Sequence, residues 1–406
     1  MVVTSRLITT VFIVLFFSIK ASVSLAAILP EQRADALWHS YDGGGVTIDG
    51  PSVLVRKNVG DKFSFSGNYY IDMVTSASVD VLATASAYTE ERKEYSLGMD
   101  YLNDRTIMSF GYANSTESDY IADTVSYTIS QEFFGDLSTL TMGFALGDDT
   151  VKATGAPDFE ASTNRRRYNL GFSQILTKRF IASASYEAVF DEGFLRNPYR
   201  AARAFDADNS AKRDNYLDGN LDEDGNQLCV GQENNTIGGE CYPETRNSEA
   251  FAIRGIYAFT NHSSLRAEYR QYEDSWDVES QNFELRYSHQ IKDRWLLELR
   301  GRVYEQSSGA FFYRDTINLS AERPRFYGRD KEISEYSSVQ YGLSLSYTFK
   351  SRHEFFNNST LNFSWDHMIF DYDNFRDSSN DNFAVGEEPL YSLEADVFRL
   401  FYSAFF

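Results

Sequence analysis

The 406-residue sequence predicts an all-β fold, a transmembrane antiparallel up-and-down β-barrel of about 16 strands, with 14 strands as the alternative count. Three observations predict it: long segments alternate apolar and polar residues, short turns alternate with long polar connections, and the chain ends on an aromatic residue. Tilted strands that cross a membrane need about 9 to 11 residues, whereas strands of soluble sheets usually have about 5 or 6. The alternating segments fit the longer requirement.

Residues 62–73 illustrate the alternation. Phe63, Phe65 and Tyr69 lie on one face of the predicted strand, and polar residues such as Ser64 and Ser66 lie on the other. The pattern returns at residues 95–101, 140–146, 180–190, 251–259, 341–349 and 361–365. The aromatic-rich face is expected to contact the lipid of the outer membrane, and the polar face is expected to line the barrel interior.

The connections between these segments alternate in length. Short turns are predicted at residues 60–61, 103–105, 135–136, 177–178, 261–262 and 292–293. Long polar connections are predicted near residues 76–91, 149–164, 192–248, 307–334 and 373–389. Outer-membrane barrels place their short turns in the periplasm and their long loops outside the cell. The sequence therefore predicts that orientation.

The N-terminus predicts export. Arg6 precedes an apolar run over residues 11–17, and Ser24-Leu25-Ala26 offers small residues at the positions that a signal peptidase reads. Residues 1–26 are therefore interpreted as a cleaved signal peptide. The alternative is a membrane anchor, but the run is shorter than the roughly 20 apolar residues that a spanning helix needs. Residues 27–45 are expected to form a periplasmic segment and residues 46–406 the barrel, with a short first strand at residues 46–49.

The C-terminal strand resembles an assembly signal. Phe398, Leu400 and Tyr402 alternate toward the terminal Phe406. Barrel insertion machinery reads such ends by adding them to a sheet edge, so this machinery is an expected partner. The alternative is an ordinary last strand that ends in Phe.

Composition excludes other classes of protein. The 27 Tyr and 32 Phe favour strands, because aromatic rings suit a pleated surface, and two Cys are too few for a disulfide scaffold. Nucleic acid is not an expected partner, since the net charge is -21 and phosphate binding needs clustered Lys and Arg.

Ordered motifs run through nearly the whole mature chain. They open with YDGGG at residues 41–45 and GPSVLVRK at residues 50–57, and continue at residues 68–81, 88–92, 197–200, 242–246, 269–276 and 329–334. Together they resemble an uncharacterised, domain-of-unknown-function family of bacterial outer-membrane β-barrel proteins. The resemblance implies the same fold. It also implies a periplasmic lipoprotein or thioredoxin-like partner, because relatives tend to be encoded beside thioredoxin-like and flavin-transferring envelope proteins.

Charged residues are predicted on the inner face of four consecutive strands. If the aromatic face contacts lipid, the inner face carries Arg254, Arg266, Glu268, Arg270, Glu284, Arg286, Glu298, Arg300 and Arg302. Elsewhere the inner face is mainly Ser, Thr and Gly. Two interpretations are open: the charges set a field that selects solutes in a pore, or they form a cross-strand ladder of ion pairs. The weakly charged segment from Ser76 to Ala87 is a candidate to fold into the lumen.

The connection over residues 192–248 holds both cysteines. Cys229 and Cys241 are predicted to form a disulfide in the oxidising envelope. Asn220, Asp222 and Asp224 have the spacing of a calcium loop, which makes calcium the one candidate cofactor. The Glu expected at the twelfth position is replaced by Gly231, so a hydrated acidic loop is the alternative.

No catalytic residue is predicted. A hydrolase would place a His beside a nucleophile, but none of the five His lies in a long loop with a Ser or an acid, and His39 is expected to precede the barrel. The predicted function is a channel or export conduit of the Gram-negative outer membrane. The alternatives are a closed barrel that docks an envelope protein complex, with a redox or flavin-linked partner, and in third place an outer-membrane hydrolase.

Overall fold

Sixteen antiparallel strands, each hydrogen-bonded to two neighbours, close into a barrel. The structure, a computed structural model, describes residues 27–75, 89–200, 202–205, 215–216, 239–318, 324–350, 358–379 and 382–406. The barrel strands are β1 Arg33–Gly43, β2 Val46–Val59, β3 Phe63–Thr75, β4 Thr89–Asn103, β5 Thr106–Thr116, β6 Tyr120–Phe133, β7 Ser138–Lys152, β8 Glu160–Thr177, β9 Phe180–Gly193, β12 Thr245–Ala258, β13 Ser263–Asp274, β14 Glu279–Ile291, β15 Trp295–Ser308, β17 Tyr336–Lys350, β18 Asn358–Arg376 and β19 Leu390–Phe405. Three short strands, β10 Arg203–Phe205, β11 Asn215–Tyr216 and β16 Ile317–Asn318, form a separate small sheet.

The predicted fold class and the count of sixteen are confirmed, but the position of the first strand was wrong. Residues 33–43 form β1, which pairs with β19 on one side and β2 on the other and so closes the barrel. The predicted short strand at residues 46–49 is only the beginning of the 14-residue β2. The expected periplasmic segment over residues 27–45 is therefore mostly barrel wall. Alternation in β1 was hidden because apolar Leu37 lies on its inner face with His39, while Asp42 lies on its outer face.

The YDGGG motif forms the hairpin between β1 and β2. Gly44 and Gly45 make the two-residue turn with φ of +60° and +80°. Both central residues of a type I′ turn need positive φ, and the twist of this turn matches that of the strands it joins. Glycine is therefore the residue that this tight connection requires.

Gly50 in the second motif permits a close approach between β2 and β3. A Cβ at this position would lie 1.8 Å from the carbonyl oxygen of Ile71. Gly50 is also paired with His39 of β1. The side chain of His39 reaches past it to β3, where its Nε2 lies 2.7 Å from Asp72 Oδ1. The absent side chain thus lets three strands interact.

The outer surface of the barrel is apolar. Phe65, Leu97 and Leu400 are 44%, 60% and 50% exposed, and many other large apolar side chains of alternate strand positions are exposed with them. Aromatic rings pair on this surface both near the short turns, as Trp295 does with Tyr347, and farther along the strands. Phe398 and Tyr402 face outward in the same way. This belt is the surface that a barrel presents to lipid.

The two ends of the barrel differ as predicted. The described connections at one end are short, for example residues 104–105 and 178–179, and both termini of the barrel lie at this end. At the other end the connection after β9 spans residues 194–244, and the connection after β15 spans residues 309–335. Strands β7, β8 and β18 extend farther than expected, which shortens the loops between β7 and β8 and between β18 and β19 to residues 153–159 and 377–389.

The described parts of the long connections fold together. We call the residues 194–200, 202–205, 239–244, 275–278, 309–318, 324–335, 377–379 and 382–389 the outer cap. Its apolar core contains Tyr242, Trp276, Phe312, Ile333 and, from the end of β18, Phe375, all at most 4% exposed. Among the residues that the structure describes, no helix is long and apolar enough to cross a membrane.

Replacement of Gly50 by Ala is predicted to destabilise the barrel. A Cβ would overlap the Ile71 carbonyl, and such overpacking costs about 1–3 kcal/mol. The denaturant midpoint of the refolded protein in detergent micelles, followed by tryptophan fluorescence, should fall. Gly67→Ala is the matched control, because its Cβ would meet only Leu97 at an ordinary 3.7 Å. Equal midpoints for the two variants would contradict the steric role of Gly50.

Candidate functional site

Eight of the nine predicted lumen charges form ion pairs. Glu268 accepts from Arg254 and from Arg266, and Glu284 accepts from Arg286 and Arg300. The strands that carry them, β12 to β15, are consecutive neighbours in the barrel. We call the inward-facing charged residues of β8, β9 and β12 to β15 the lumen ladder.

The ladder continues beyond these contacts. Arg286 Nη1 lies 3.2 Å from Glu298 Oε1, and Arg270 Nη2 lies 3.1 Å from Glu187 Oε1 on β9. Arg302 has no carboxylate partner among the described residues. The ladder therefore consists of several neighbouring groups of ion pairs, and Arg302 belongs to none of them.

Sequence reasoning missed the part of the ladder on β8 and β9. Arg165 Nε donates to Asp191 Oδ1 at 2.7 Å, and Arg167 lies 3.8 Å from Glu187. The signal was present in the alternation: Arg165 and Arg167 flank Arg166, which points to the other face and pairs with Glu192. The charged wall therefore extends over six neighbouring strands rather than four.

This wall carries more arginines than acids. On the inner faces of β8, β9 and β12 to β15, nine Arg face six carboxylates, an excess of three positive charges. The Arg are Arg165, Arg167, Arg246, Arg254, Arg266, Arg270, Arg286, Arg300 and Arg302, and the acids are Glu187, Asp191, Glu268, Asp274, Glu284 and Glu298. The lumen is thus positive here although the whole chain has a net charge of -21.

Solvent reaches part of the lumen. The inward side chains of Arg167 and Arg254 are 48% and 41% exposed, and Asn169 and Ser185 between them are exposed as well. On the opposite side, inward groups such as Asp366 are buried. The accessible space therefore follows the β8 to β12 side of the barrel.

The outer cap is held by two ion pairs between different connections, of which Arg203–Glu388 is buried and Arg200–Asp330 is partly buried. Arg200 Nη1 donates to Asp330 Oδ2 at 2.5 Å, and Arg203 Nη2 donates to Glu388 Oε1 at 2.7 Å. Both pairs join the connection after β9 to a later connection. Removal of one partner from a buried pair typically costs about 3–5 kcal/mol, because the other charge loses its compensation. These contacts therefore hold the connections together.

Arg329 links the cap to the end of β18. Its side chain is 2% exposed, its Nη2 donates to the Arg376 carbonyl at 2.7 Å, and its guanidinium lies 4.4 Å from the centre of the Phe375 ring. Nη2 also lies 3.2 Å from Asp315 Oδ1. One side chain thus joins three segments of the cap.

Glu240 is the most perturbed acid of the cap. It is fully buried, and Arg329 donates its backbone N–H to Glu240 Oε1 at 2.7 Å. Burial raises the pKa of Glu240 to about 7, with Asp330 raising it further and Arg200 opposing the shift. Burial also raises the pKa of the adjacent Tyr242 hydroxyl. The cap therefore contains a carboxyl group that titrates near neutral pH.

Several segments that carry the family resemblance meet in this cap. Arg200 of residues 197–200 contacts Asp330 of residues 329–334, and Arg246 of residues 242–246 pairs with Asp274 at 2.6 Å. The guanidinium of Arg246 also lies 4.4 Å from the ring of Trp276. These motifs are up to 130 residues apart in sequence. Sequence reasoning identified each motif but did not bring them together.

Two histidines pair with acids that sequence reasoning did not connect to them. His39 lies in β1 rather than before the barrel, where its ring contacts Asp72 and the Tyr70 hydroxyl. His367 faces outward, with its Nδ1 3.0 Å from Asp396 Oδ1. The partners are 33 and 29 residues away in sequence, so strand pairing creates both contacts. Among the described residues, neither ring has a serine or cysteine partner.

Several predicted features lie outside the described residues. They are the signal peptide over residues 1–26, the segment from Ser76 to Ala87, the calcium candidates Asn220, Asp222 and Asp224, and Cys229. Cys241 is buried in the cap, and its disulfide with Cys229 stays a prediction. The described residues contain no group of three His, Cys, Asp or Glu arranged for a metal ion. The terminal Phe406 packs near Lys57, and its role in assembly also stays a prediction.

The fold and the polarity of its two surfaces define an outer-membrane β-barrel protein. A closed barrel pairs the backbone groups of every spanning strand, which the lipid interior requires, and the apolar exterior contacts that lipid. The chain belongs to the family described as Protein of unknown function (DUF3570), whose model matches residues 79–360. None of the curated proteins compared with the chain matches its sequence.

Solved outer-membrane structures resemble the barrel at low identity. A FadL homologue of Pseudomonas aeruginosa is 10% identical with a TM-score of 0.41, over 93% of this chain and 91% of that one. The siderophore receptor PirA of Acinetobacter baumannii is 10% identical with a TM-score of 0.44, over 91% of this chain and 57% of the receptor. A bacterial polysaccharide outer membrane secretin is 7% identical with a TM-score of 0.47, over 93% and 100%.

Glu240→Gln is predicted to remove a pH dependence of the cap. The folded cap keeps the Glu240 proton up to about pH 7, whereas an opened cap releases it near 4.5, so the closed cap binds more protons in this interval. Stability of the closed cap therefore falls as pH rises from about 4.5 to 7 and stays low above it. Each unit of difference between the pKa of Glu240 in the closed cap and in the opened cap changes the equilibrium constant for cap opening about tenfold.

Limited proteolysis of the folded barrel measures this effect. The ratio of wild-type to Glu240→Gln cleavage rates in the cap should rise at least tenfold between pH 5 and pH 8, and the ratio cancels the pH dependence of the protease. Glu387→Gln, at an exposed acid of the same cap, should behave like wild type. A ratio that stays constant with pH would refute the role of Glu240.

Proposed function

We propose that this protein is a conduit of the outer membrane for small polar solutes and that the arginine excess of the lumen ladder favours anions. The observation that carries the proposal is the solvent-exposed set of inward side chains along β8 to β12. A barrel that served only as a rigid scaffold would gain nothing from exposed charge in its interior. The outer cap lies at one end of the barrel, so a solute that crosses the barrel must pass through or beside it.

The field in the lumen supports selection by charge. Rings and walls of charged side chains select ions at close range, and pairs in a partly dehydrated lumen are screened less than pairs in bulk water. Each carboxylate of the ladder is neutralised by at least one Arg, which leaves the unpaired Arg302 and the overall excess of three charges. Anions should therefore concentrate beside this wall.

Reconstitution in planar bilayers tests the conduit directly. Purified, folded protein is predicted to give discrete channel events, and conductance should increase when the cap is opened by Asp330→Ala, which removes the partner of Arg200. The position of the gel band before and after heating confirms that the barrel is folded. Well-folded protein without channel events in both forms would overturn the conduit and favour the docking scaffold for an envelope complex.

A triple variant tests the role of the arginines. Arg266→Gln, Arg270→Gln and Arg300→Gln together remove the excess charge and should shift the reversal potential in a KCl gradient toward cation selectivity. No acid is orphaned, because Glu268 keeps Arg254, Glu284 keeps Arg286 and Glu187 keeps Arg167. Arg166→Gln, on the outer face, is the control. An unchanged reversal potential in the triple variant would refute the selectivity role.

A further inference from the structure

A cavity of about 240 Å³ lies where the lumen ladder meets the outer cap. It is formed by the outer halves of β12 to β15 and by the turn after β13. Its lining residues are Arg246, Arg270, Tyr272, Val278, Ser280, Asn282, Arg302, Tyr304 and Gln306. Pockets for drug-sized ligands usually have about 300–1,000 Å³, so this cavity suits a smaller molecule.

The lining contains three arginines and no carboxylate. Arg246 is fixed from outside the cavity by Asp274 and by Trp276, and Arg270 is fixed by Glu187 at 3.1 Å. Arg302 differs from both, because it forms no ion pair among the described residues, although Glu284 is its cross-strand neighbour. Its guanidinium lies over the Tyr304 ring, at 5.4 Å. The cavity thus has two oriented cations and one that lacks an anion.

Neutral groups of the lining add hydrogen-bonding capacity. The Tyr304 hydroxyl donates to Gln306 Oε1 at 2.8 Å, and Gln306 Nε2 donates to the Glu332 carbonyl at 3.0 Å, so the Gln306 amide is held in place by the cap. Ser280 and Asn282 have no side-chain partner among the described residues. Their hydroxyl and amide groups are therefore free to bind hydroxyls of a ligand.

Ring surface completes the cavity. Tyr304 of β15 is paired with Asn282 of β14, and Tyr272 of β13 is paired with Ser280 of β14. Aromatic faces beside hydroxyl-binding groups suit a sugar ring, and guanidinium groups suit a carboxylate or phosphate through paired N–H donors. The lining therefore combines the groups that a charged monosaccharide requires.

We propose that this cavity is a binding site for a monosaccharide-sized organic anion, a sugar acid or sugar phosphate, with Arg302 as its principal anion ligand. The inference deepens the proposed function, because a solute bound here would occupy the path between the outer cap and the lumen ladder. Arg246 connects the site to the cap through Asp274 and Trp276, and Gln306 connects it through the Glu332 carbonyl. Binding is thereby placed beside the contacts that hold the cap closed.

Calorimetry on the full chain in detergent micelles tests the site with glucuronate, glucose 6-phosphate, glucose and inorganic phosphate as probes. At least one of the two charged sugars should bind saturably, and at least tenfold more tightly than glucose and than inorganic phosphate. Binding of neither charged sugar would overturn the proposal. Equal affinity for glucose would overturn it as well, because the arginines would then contribute nothing to binding. Equal affinity for inorganic phosphate would also overturn it, because the groups proposed to bind the sugar ring would then contribute nothing.

Variants locate the binding. Arg302→Gln should weaken binding of the charged sugar at least tenfold, and it should fold normally because no acid loses its partner. Asn282→Ala should weaken it less, and Arg399→Gln should leave it unchanged, since Arg399 contacts Asp366 outside the cavity and Arg300 still lies 3.7 Å from that acid. Unchanged binding in Arg302→Gln, or an equal loss in Arg399→Gln, would refute the assignment.

Channel recordings on the same preparation separate the two proposals. Binding without channel events would support the cavity and overturn the conduit. Channel events without binding would overturn the cavity and leave the conduit standing. If both hold, glucuronate or glucose 6-phosphate should reduce the current in wild type and fail to do so in Arg302→Gln.

Discussion

Closure of the barrel through the pairing of β1 with β19 is the constraint on which the rest of the structure depends. An open edge in lipid would leave a row of unpaired N–H and C=O groups, each costing several kcal/mol, so the first and last strands must meet. All eleven residues of β1 pair with β19, from Arg33 with Phe405 to Gly43 with Ala395. Closure fixes which side chains face inward on every strand. The lumen ladder then follows from pairing between neighbouring strands, as Arg254 of β12 meets Glu268 of β13, and Arg270 of β13 meets Glu187 of β9 across β12.

Inside the closed barrel, most charged side chains of the lumen ladder lie beside side chains of opposite charge. Inward arginines of β8 to β15 share carboxylates across neighbouring strands, so that Glu284 serves both Arg286 and Arg300. Sharing explains how nine arginines coexist with six acids without an isolated carboxylate. It also gives the ladder a net positive character that neither the composition nor the overall charge of -21 indicates.

The sequence predicted the barrel because alternation and turn length are local properties of the chain. The same local reasoning missed β1, because apolar Leu37 lies on its inner face and polar Asp42 on its outer face, which blurs the alternation. The inner His39 contacts Asp72 of β3, a partner that strand pairing supplies. Local reasoning also missed the outer cap, since Arg200 and Asp330 are 130 residues apart and only loop packing brings them together. The ladder was predicted in its main part because its inward positions follow from alternation, whereas its individual pairs depend on register.

Arg302 lies where the lumen ladder, the cavity and the outer cap meet. Every other arginine of the ladder forms an ion pair, whereas the partly buried Arg302 guanidinium lies over the Tyr304 ring, at 5.4 Å, and forms none among the described residues. An anionic solute would form the missing ion pair with Arg302. It would bind most tightly when the other groups that line the cavity are already held in place. Gln306 and Arg246 are fixed by the cap, so a closed cap orients the cavity. A solute that binds Arg302 should therefore favour the closed cap, and opening the cap should weaken its binding by the same factor, because coupling between two binding equilibria is reciprocal.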